Sequence, residues 1–240
     1  MARFFLPPDA WHAQAQLEEE ESRHCAQVLR FTAGDVITVF DGCGRSAAAT
    51  LRDVRKNAVL LEIGDVLHHP SPRPAIVLAQ AVTKGKTMDW IIEKAVELGV
   101  SRIVPLVTRH TVVKYDADEA IKKAQKWQKV AQEACKQCGQ YWMPIVEAPL
   151  DGREFLAQER SGGKIIASLA PGARPLRQVI ESLSCCDQVT LMIGPEGDFS
   201  LDETRLALQA GFQPSTLGTL VLRSETAALY ALAALRCHYV

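Results

Sequence analysis

Two short loops near the C-terminal end of the chain carry residue types suited to gripping a small ligand. The first is Ile193-Gly194-Pro195-Glu196-Gly197-Asp198-Phe199-Ser200, which leaves an apolar run and enters a helix start. Glycines around a Pro-Glu let main chain pass close to a ligand and present its N–H groups, although Gly-x-x-Gly also serves as a plain strand-to-helix turn. The second loop, Leu217-Gly218-Thr219-Leu220-Val221-Leu222-Arg223-Ser224-Glu225-Thr226-Ala227, sets Arg-Ser-Glu-Thr between two hydrophobic stretches. Charges in such a place cost desolvation unless they have partners. Two readings stay open: Arg223 and Glu225 serve a reaction, or they clasp each other with Ser224 as N-cap.

Other candidates carry less. Cys135-Lys136-Gln137-Cys138 has Cys-x-x-Cys spacing but sits in a helical pattern without a second cysteine pair, which argues against zinc or redox use. Seven cysteines is an odd number for a disulfide framework, and all are read as reduced thiols. His68 and His69 lie among prolines with no further ligands nearby, so no metal site is expected. Phe4 and Phe5 read as core residues in preference to rings that stack on an unpaired base. Lys122, Lys126, Lys129 and Lys136 fall on one helical face, opposite Trp127, Val130, Ala134 and Cys138. Such a stripe is either a solvated face or a track for phosphates.

The elements that must position these residues follow two rhythms. His68-His69-Pro70-Ser71-Pro72-Arg73-Pro74 blocks helix and disfavours central strand, and marks a boundary between residues 1–70 and 71–240. Before it, alternating runs at Asp35–Phe40, Ser46–Val54 and Ala58–Val66 predict a small antiparallel β unit with one helix over Glu18–Leu29. After it, strand and helix alternate, which predicts a mostly parallel sheet covered on both faces. Strands are expected at Ala75–Val82, Arg102–Val107, Pro144–Ala148, Lys164–Leu169, Val189–Ile193 and Ser215–Val221. Thr87–Leu98 reads as an amphipathic helix ending at Gly99, and Ser200-x-x-Glu203 as a capping box for a helix closed by Gly211. Ser224–Tyr239 is Ala- and Leu-rich nearly all round, so it should be buried, against a second subunit if not within its own. Ligands of an open α/β sheet bind beyond the carboxyl ends of its strands, where both loops fall.

Composition narrows the function classes. A formal charge of −1 with 48% hydrophobic residues argues against disorder and against nucleic-acid binding by a global field. The first 70 residues hold 7 Lys and Arg against 10 Asp and Glu, and the rest 20 against 18. A nucleic-acid partner must therefore be met by local basic patches. Neither a secretory leader nor a membrane span is legible, so a cytosolic location is expected. The loops contain no Gly-x-Gly-x-x-Gly after a strand and no Gly-Lys-Ser/Thr, which disfavours a phosphate-bearing cofactor. An adenine and a methionine held by backbone groups need only short loops of this kind.

Ile-Gly-Pro-Glu-Gly followed by Leu-Gly…Leu-Arg-Ser-Glu-Thr-Ala resembles the bacterial 16S ribosomal RNA uridine N3-methyltransferases of the RsmE type, in the SPOUT superfamily. The likeness extends to Lys84-Gly85-Lys86-Thr87-Met88-Asp89-Trp90, Glu93 to Val100, Pro105-Leu106, Arg109, Glu133-Ala134…Gln137-Cys138-Gly139, and His24 with Val28-Leu29-Arg30. It runs the length of the chain.

The resemblance implies an α/β fold in which a small antiparallel PUA-like β-barrel for RNA precedes a trefoil-knotted SPOUT domain with a mostly parallel sheet. It implies a homodimer that transfers methyl from S-adenosylmethionine to a uridine of 16S ribosomal RNA in the small ribosomal subunit. The cofactor residues would be Ser168, Leu169 and Ala170, then Ile193, Gly194, Pro195, Glu196 and Gly197, then Leu217, Gly218, Val221, Leu222, Ser224 and Thr226. RNA contacts would come from Arg3, His24, Arg30, Lys84, Lys86 and Arg109. Arg223 would stabilise charge on the reacting base, since a guanidinium stays protonated, and Glu225 or Glu196 could take the proton. The chain departs from the family pattern at Asp198 (usually Gly), Thr219-Leu220 (Pro-Arg), Gln140 (Arg) and Thr108 (Glu), which bears on RNA contacts more than on a backbone-held cofactor. A different RNA substrate, or a non-catalytic RNA-binding assembly factor, are the alternatives.

Overall fold

A computed structural model describes residues 2–183 and 186–239, so Cys185 lies outside the described residues. The chain divides into two units: one takes residues up to Ser71 together with Gln132–Met143, the other Pro72–Ala131 and the residues from Pro144 onward.

The first unit is built on a five-stranded sheet. Its strands are β1 (Arg3–Phe5), β2 (Gln14–Gln16), β3 (Val36–Phe40), β4 (Arg45–Arg55) and β5 (Ala58–His68), in the order β1-β3-β4-β5-β2. Every pairing is antiparallel except β1 with β3, which is parallel, so the expected all-antiparallel unit is mixed at one edge. Alternation places Ile37, Val39, Ala47, Ala49, Leu51, Val59 and Leu61 in one core with Phe4 and Leu6. The expected helix over Glu18–Leu29 is shorter: α1 covers Glu19–Arg23, and a single π turn over His24–Val28 replaces its second half. Two residues past that turn stands Arg30, whose φ of 57° is left-handed.

Among the described residues the second unit carries an eight-stranded sheet in which every pairing is parallel. The path along the chain is β6 (Ala75–Ala81), α2 (Thr87–Glu97), β7 (Arg102–Val107), α3 (Ala117–Cys138), β8 (Ile145–Val146), β9 (Leu150–Asp151) and α4 (Gly152–Ala157). It continues through β10 (Gly163–Ala167), β11 (Arg174–Pro175), α5 (Leu176–Ser182), β12 (Gln188–Ile193), α6 (Leu201–Gln209), β13 (Gln213–Thr216) and α7 (Ser224–Tyr239). The strand order is β11-β13-β10-β12-β6-β7-β8, with β9 also on β7. Parallel strands covered on both faces read as unbroken apolar runs, and β12 is buried from Val189 to Ile193.

Element ends follow local chemistry. Gly99, at φ 79°, closes α2 with N–H bonds from Gly99 to the Val96 carbonyl and from Val100 to the Ala95 carbonyl, a left-handed cap that glycine adopts without strain. Ser200 and Glu203 form the expected capping box on α6.

Three expected strands need correction. The strand placed at Ser215–Val221 is β13 at Gln213–Thr216, because its neighbours β10 and β11 run out of partners at Thr216 and the apolar residues beyond leave the sheet. The strand at Pro144–Ala148 is two residues long, and that at Lys164–Leu169 stops at Ala167. Within its own chain, helix α7 buries one face, Ser224, Ala227, Ala228, Ala231, Leu232 and Leu235, and leaves Tyr230 half exposed. Among the described residues no helix is long and apolar enough to cross a membrane.

Candidate active site

Three strand ends and the start of α7 enclose one crevice. Strand β10 ends at Ala167 and delivers Ser168 and Leu169; β12 ends at Ile193 and delivers Gly194, Pro195, Glu196 and Asp198. Past β13 the chain supplies Leu217, Gly218, Leu220, Val221 and Leu222, followed by Arg223, Ser224 and Ala227 at the start of α7. The crevice holds about 240 Å³ and lies beyond the carboxyl ends of adjacent parallel strands.

Both candidate loops therefore meet, and a third joins them. Residues 217–223 lie in no helix or strand, so their main-chain N–H and C=O groups are not committed to a ladder. Gly218 has a φ of 129°, closed to most side chains.

Ser224 fastens the two loops together. Its hydroxyl donates to the Gly194 carbonyl at 2.6 Å and accepts from Gln80 Nε2 at 2.9 Å. Gln80 is fully buried at the end of β6, donates also to the Ala81 carbonyl, and leaves its Oε1 without a hydrogen-bond partner among the described residues. Sequence reasoning missed Gln80. One amide inside the otherwise apolar run Ala75–Ala81 was the available signal, because a buried polar group needs a partner. Ser224 is the first residue of α7 and bridges to Gly194, so the N-cap reading fails.

Charges at the crevice differ in commitment. The Arg223 side chain is exposed and makes no ion pair or hydrogen bond among the described residues, so the clasp with Glu225 is not formed. Glu196 is likewise exposed on the wall. Glu225 and Thr226 are not on the wall, for a helical reason: Arg223, Ser224 and Ala227 share the face toward the crevice, and the two residues between them turn away. Gly197 and Ala170 also stand off. Gly197 packs toward His110, where an added Cβ would lie 3.2 Å from the His110 Cβ, and the Ala170 N–H is held by Ser168 Oγ at 3.1 Å.

Asp198 explains one departure from the family pattern. Its φ is 59°, and its Oδ1 accepts the Phe199 N–H at 2.7 Å. Aspartate is one of the few residues that tolerates the left-handed region, because a short polar side chain can bond its own backbone. Thr108 is locked in a turn with Thr111, the two hydroxyls 2.8 Å apart.

The expected RNA residues scatter over both units. Within the first, Arg3 donates to the carbonyls of Lys136 and Gln137 at 3.2 Å each, satisfying the C-terminal end of α3. His24 is half-buried, edge-on to Phe4 at 6.0 Å. Arg30 is exposed in its left-handed turn. Within the second, Lys84 and Lys86 are exposed just before α2, and Arg109 is exposed after β7.

The lysine stripe is split. Lys122, Lys126 and Lys129 are exposed, and Lys126 pairs with Asp89 at 2.5 Å. Lys136 is half-buried and held between Glu21 and Glu133, at 2.8 and 2.9 Å, so it cannot track phosphates. Cys135 is buried, which pushes its thiol up to about 12, and no group of His, Cys, Asp and Glu among the described residues is arranged to hold a metal ion.

Residues 69–236 match the RNA methyltransferase domain and residues 17–64 the RNA methyltransferase PUA domain. The chain belongs to the RNA methyltransferase domain family, and its relatives narrow the comparison. It is 32% identical to the ribosomal RNA small subunit methyltransferase E of Synechocystis over 95% of its own length and 74% of that protein's. It is 28% identical to the Bacillus subtilis protein of the same name, over 90% and 87%. The crystal structure of the Neisseria gonorrhoeae ribosomal RNA small subunit methyltransferase E, bound to S-adenosyl methionine, superposes with a TM-score of 0.89 at 33% identity, covering 100% of this chain and 98% of that one.

Proposed function

We propose that the protein methylates N3 of one uridine in 16S ribosomal RNA, using S-adenosylmethionine held in the crevice of the second unit. The observation that carries this reading is the meeting of three strand-end loops at a wall made of irregular main chain, apolar side chains and the Arg223 guanidinium, which has no ion-pair or hydrogen-bond partner among the described residues. The crevice suits the cofactor's chemistry. Leu169, Ile193, Leu217 and Leu222 offer apolar surface to an adenine, and the irregular main chain offers donors and acceptors to its edge and to the amino-acid tail. Nothing in the wall is a phosphate loop, and this cofactor has no phosphate to bind.

Bound there, S-adenosylmethionine supplies an electrophilic methyl on a sulfonium. The residues of the chain must position the uracil in line with it and stabilise the charge left when the imide loses its proton. Arg223, the cation on the wall, is assigned to that charge, with the positive end of the α7 macrodipole behind it. Of the two carboxylates considered for the proton, Glu196 lines the crevice and Glu225 does not, so Glu196 takes that role.

The same reading includes a homodimer working in the cytoplasm, a trefoil knot through the crevice loops, and closure of the first unit's sheet into a PUA-like barrel that meets the RNA through His24 and Arg30. The dimer is supported by Leu169, Leu220 and Val221, which stand 61, 75 and 78% exposed around the crevice, an apolar rim that a lone chain would leave wet. Arg30 occupies a backbone position that costs it roughly 1 kcal/mol relative to glycine, a strain expected where the side chain is used.

Mass mapping of methylated nucleosides in ribosomal RNA, from cells with and without the protein, tests the reaction. Loss of a single N3-methyluridine from the small-subunit RNA is expected. A loss confined to transfer RNA would move the activity to another substrate, and no loss, with no cofactor heat in calorimetry, would leave a non-catalytic factor.

A further inference from the structure

A second cavity, of about 670 Å³, opens beside the carboxyl end of β7. Its wall includes Arg109, Lys114, Tyr115, Asp151 and Arg153. The acids on this wall are already used. Asp151 caps α4, accepting the N–H groups of Arg153 and Glu154, and Glu203 accepts from Ser200 and from the Arg109 N–H at 2.9 Å. The cations are not: Arg109 and Lys114 have no ion-pair partner among the described residues, and Arg153 reaches Asp202 only at 4.0 Å.

Lys114 and Tyr115 also line a neighbouring groove of about 440 Å³, which continues along α3 through Lys122, Lys123 and Lys126. The two hollows thus form one track that carries, among the described residues, six cations, one of them Lys126 already paired with Asp89, against the carboxylate of Glu119 on the α3 groove, in a chain whose formal charge is −1. Its inner end abuts the crevice loop, since His110 Nδ1 lies 2.9 Å from the Asp198 carbonyl oxygen. Tyr115 sits at the junction, half-buried, its ring edge-on to Trp127 at 6.5 Å.

We infer that this track holds the sugar–phosphate backbone of single-stranded RNA beside the nucleotide presented to the crevice, with Tyr115 stacking on a base at the junction. A row of cations matches phosphates, and an aromatic ring between them matches an unpaired base. The inference rests on the RNA methyltransferase reading for its ligand and deepens it by locating the strand.

The test uses the full chain and a fluorescein-labelled single-stranded RNA of about 20 nucleotides, long enough to present several phosphates to the track. Fluorescence polarisation is followed over a salt series, with calorimetry of S-adenosylmethionine alongside. Lys114→Ala/Arg153→Ala and Lys122→Glu/Lys123→Glu are each expected to raise the RNA Kd about tenfold or more and to flatten the salt slope by roughly 0.7 for each phosphate no longer neutralised. Cofactor affinity should stay unchanged. Lys114→Arg/Arg153→Lys should restore binding, and Tyr115→Leu should weaken it at an unchanged salt slope. RNA affinity and slope equal to those of the unmodified chain in both charge variants would overturn the track. Failure of the unmodified chain to bind S-adenosylmethionine would instead strike the methyltransferase reading, and is seen in a separate arm.

Discussion

Lys136 and Arg223 are both cations, and the chain treats them in opposite ways. Lys136 is held between Glu21 and Glu133, with its side chain 10% exposed and that of Glu21 6%. Arg223 stands exposed on the crevice wall with no carboxylate in reach among the described residues. A cation enclosed by its counter-charges fixes local structure and has nothing left to offer a ligand. One left unpaired beside a crevice keeps all its donors for whatever enters.

The comparison is broken most forcefully at Lys136. Lys136→Met strands the Glu21 carboxylate in the interior, and removing one member of a buried pair costs about 3–5 kcal/mol. Denaturant unfolding should show that loss near neutral pH, and Glu21→Gln/Lys136→Met should recover most of it. The pH dependence has a definite sign. Burial holds the Glu21 carboxyl above its ordinary value in spite of Lys136, so the folded chain takes up this proton before the unfolded chain does. Stability from this group therefore grows as the pH falls through the raised value toward the ordinary carboxylate range. The Lys136→Met deficit should shrink on acidification; a deficit constant with pH would show that poorer packing, not stranded charge, is responsible. Lys136 itself is pulled down by burial but raised overall by Glu21 and Glu133, so its contribution fades only as the pH rises through that raised value.

Arg223→Ala should do the reverse: little change in unfolding, and a fall in kcat of about 10²- to 10³-fold, the usual loss when one donor to developing charge is removed. Arg223→Lys should recover little, since a point charge does not replace a fork of donors. Turnover near normal in Arg223→Ala would remove the residue from the chemistry.

How much of this was legible in the sequence follows from range. Helix ends were readable because caps are local: Gly99 and the Ser200–Glu203 box act within a few residues of themselves. The strand expected at Ser215–Val221 misled because Leu217–Leu222 is as apolar as a buried strand, yet its apolar character serves the crevice and its rim. Helical spacing put Lys136 on the exposed stripe, but the carboxylate that buries it lies 115 residues away, beyond any periodic rule. The crevice loops were legible through glycine and charge pattern together with family resemblance. Which residues of the Arg-Ser-Glu-Thr run face the ligand depended on where α7 begins, and that rests on Ser224 bridging to Gly194 across 30 residues.

That bridge supplies a smaller perturbation. Ser224→Ala leaves both the Gln80 amide and the Gly194 carbonyl short of a partner and should cost about 1–3 kcal/mol. Gln80→Leu removes the amide with its unpartnered oxygen and should cost less. Combined, the two should fall short of additivity, because they cut one chain of hydrogen bonds. Cofactor calorimetry should show weaker binding for Ser224→Ala. Full additivity would mean that Gln80 and Ser224 act independently and that the relay is only proximity.

The smallest expected effect is at Asp198. Its left-handed backbone disfavours side chains by roughly 1–2 kcal/mol, and the bond from the Phe199 N–H to Oδ1 offsets part of this. Asp198→Gly removes strain and bond together, so unfolding should shift by no more than about 0.5 kcal/mol, the range of an uneventful substitution. Asp198→Ala keeps the strain without the bond, and should be the less stable of the two. Because glycine reaches the same left-handed φ without strain, the loop can keep its course and cofactor affinity should be unchanged in Asp198→Gly. A tenfold loss in that variant alone would show the carboxylate touching the ligand, and would make this chain's crevice chemically distinct from one with glycine at the same place.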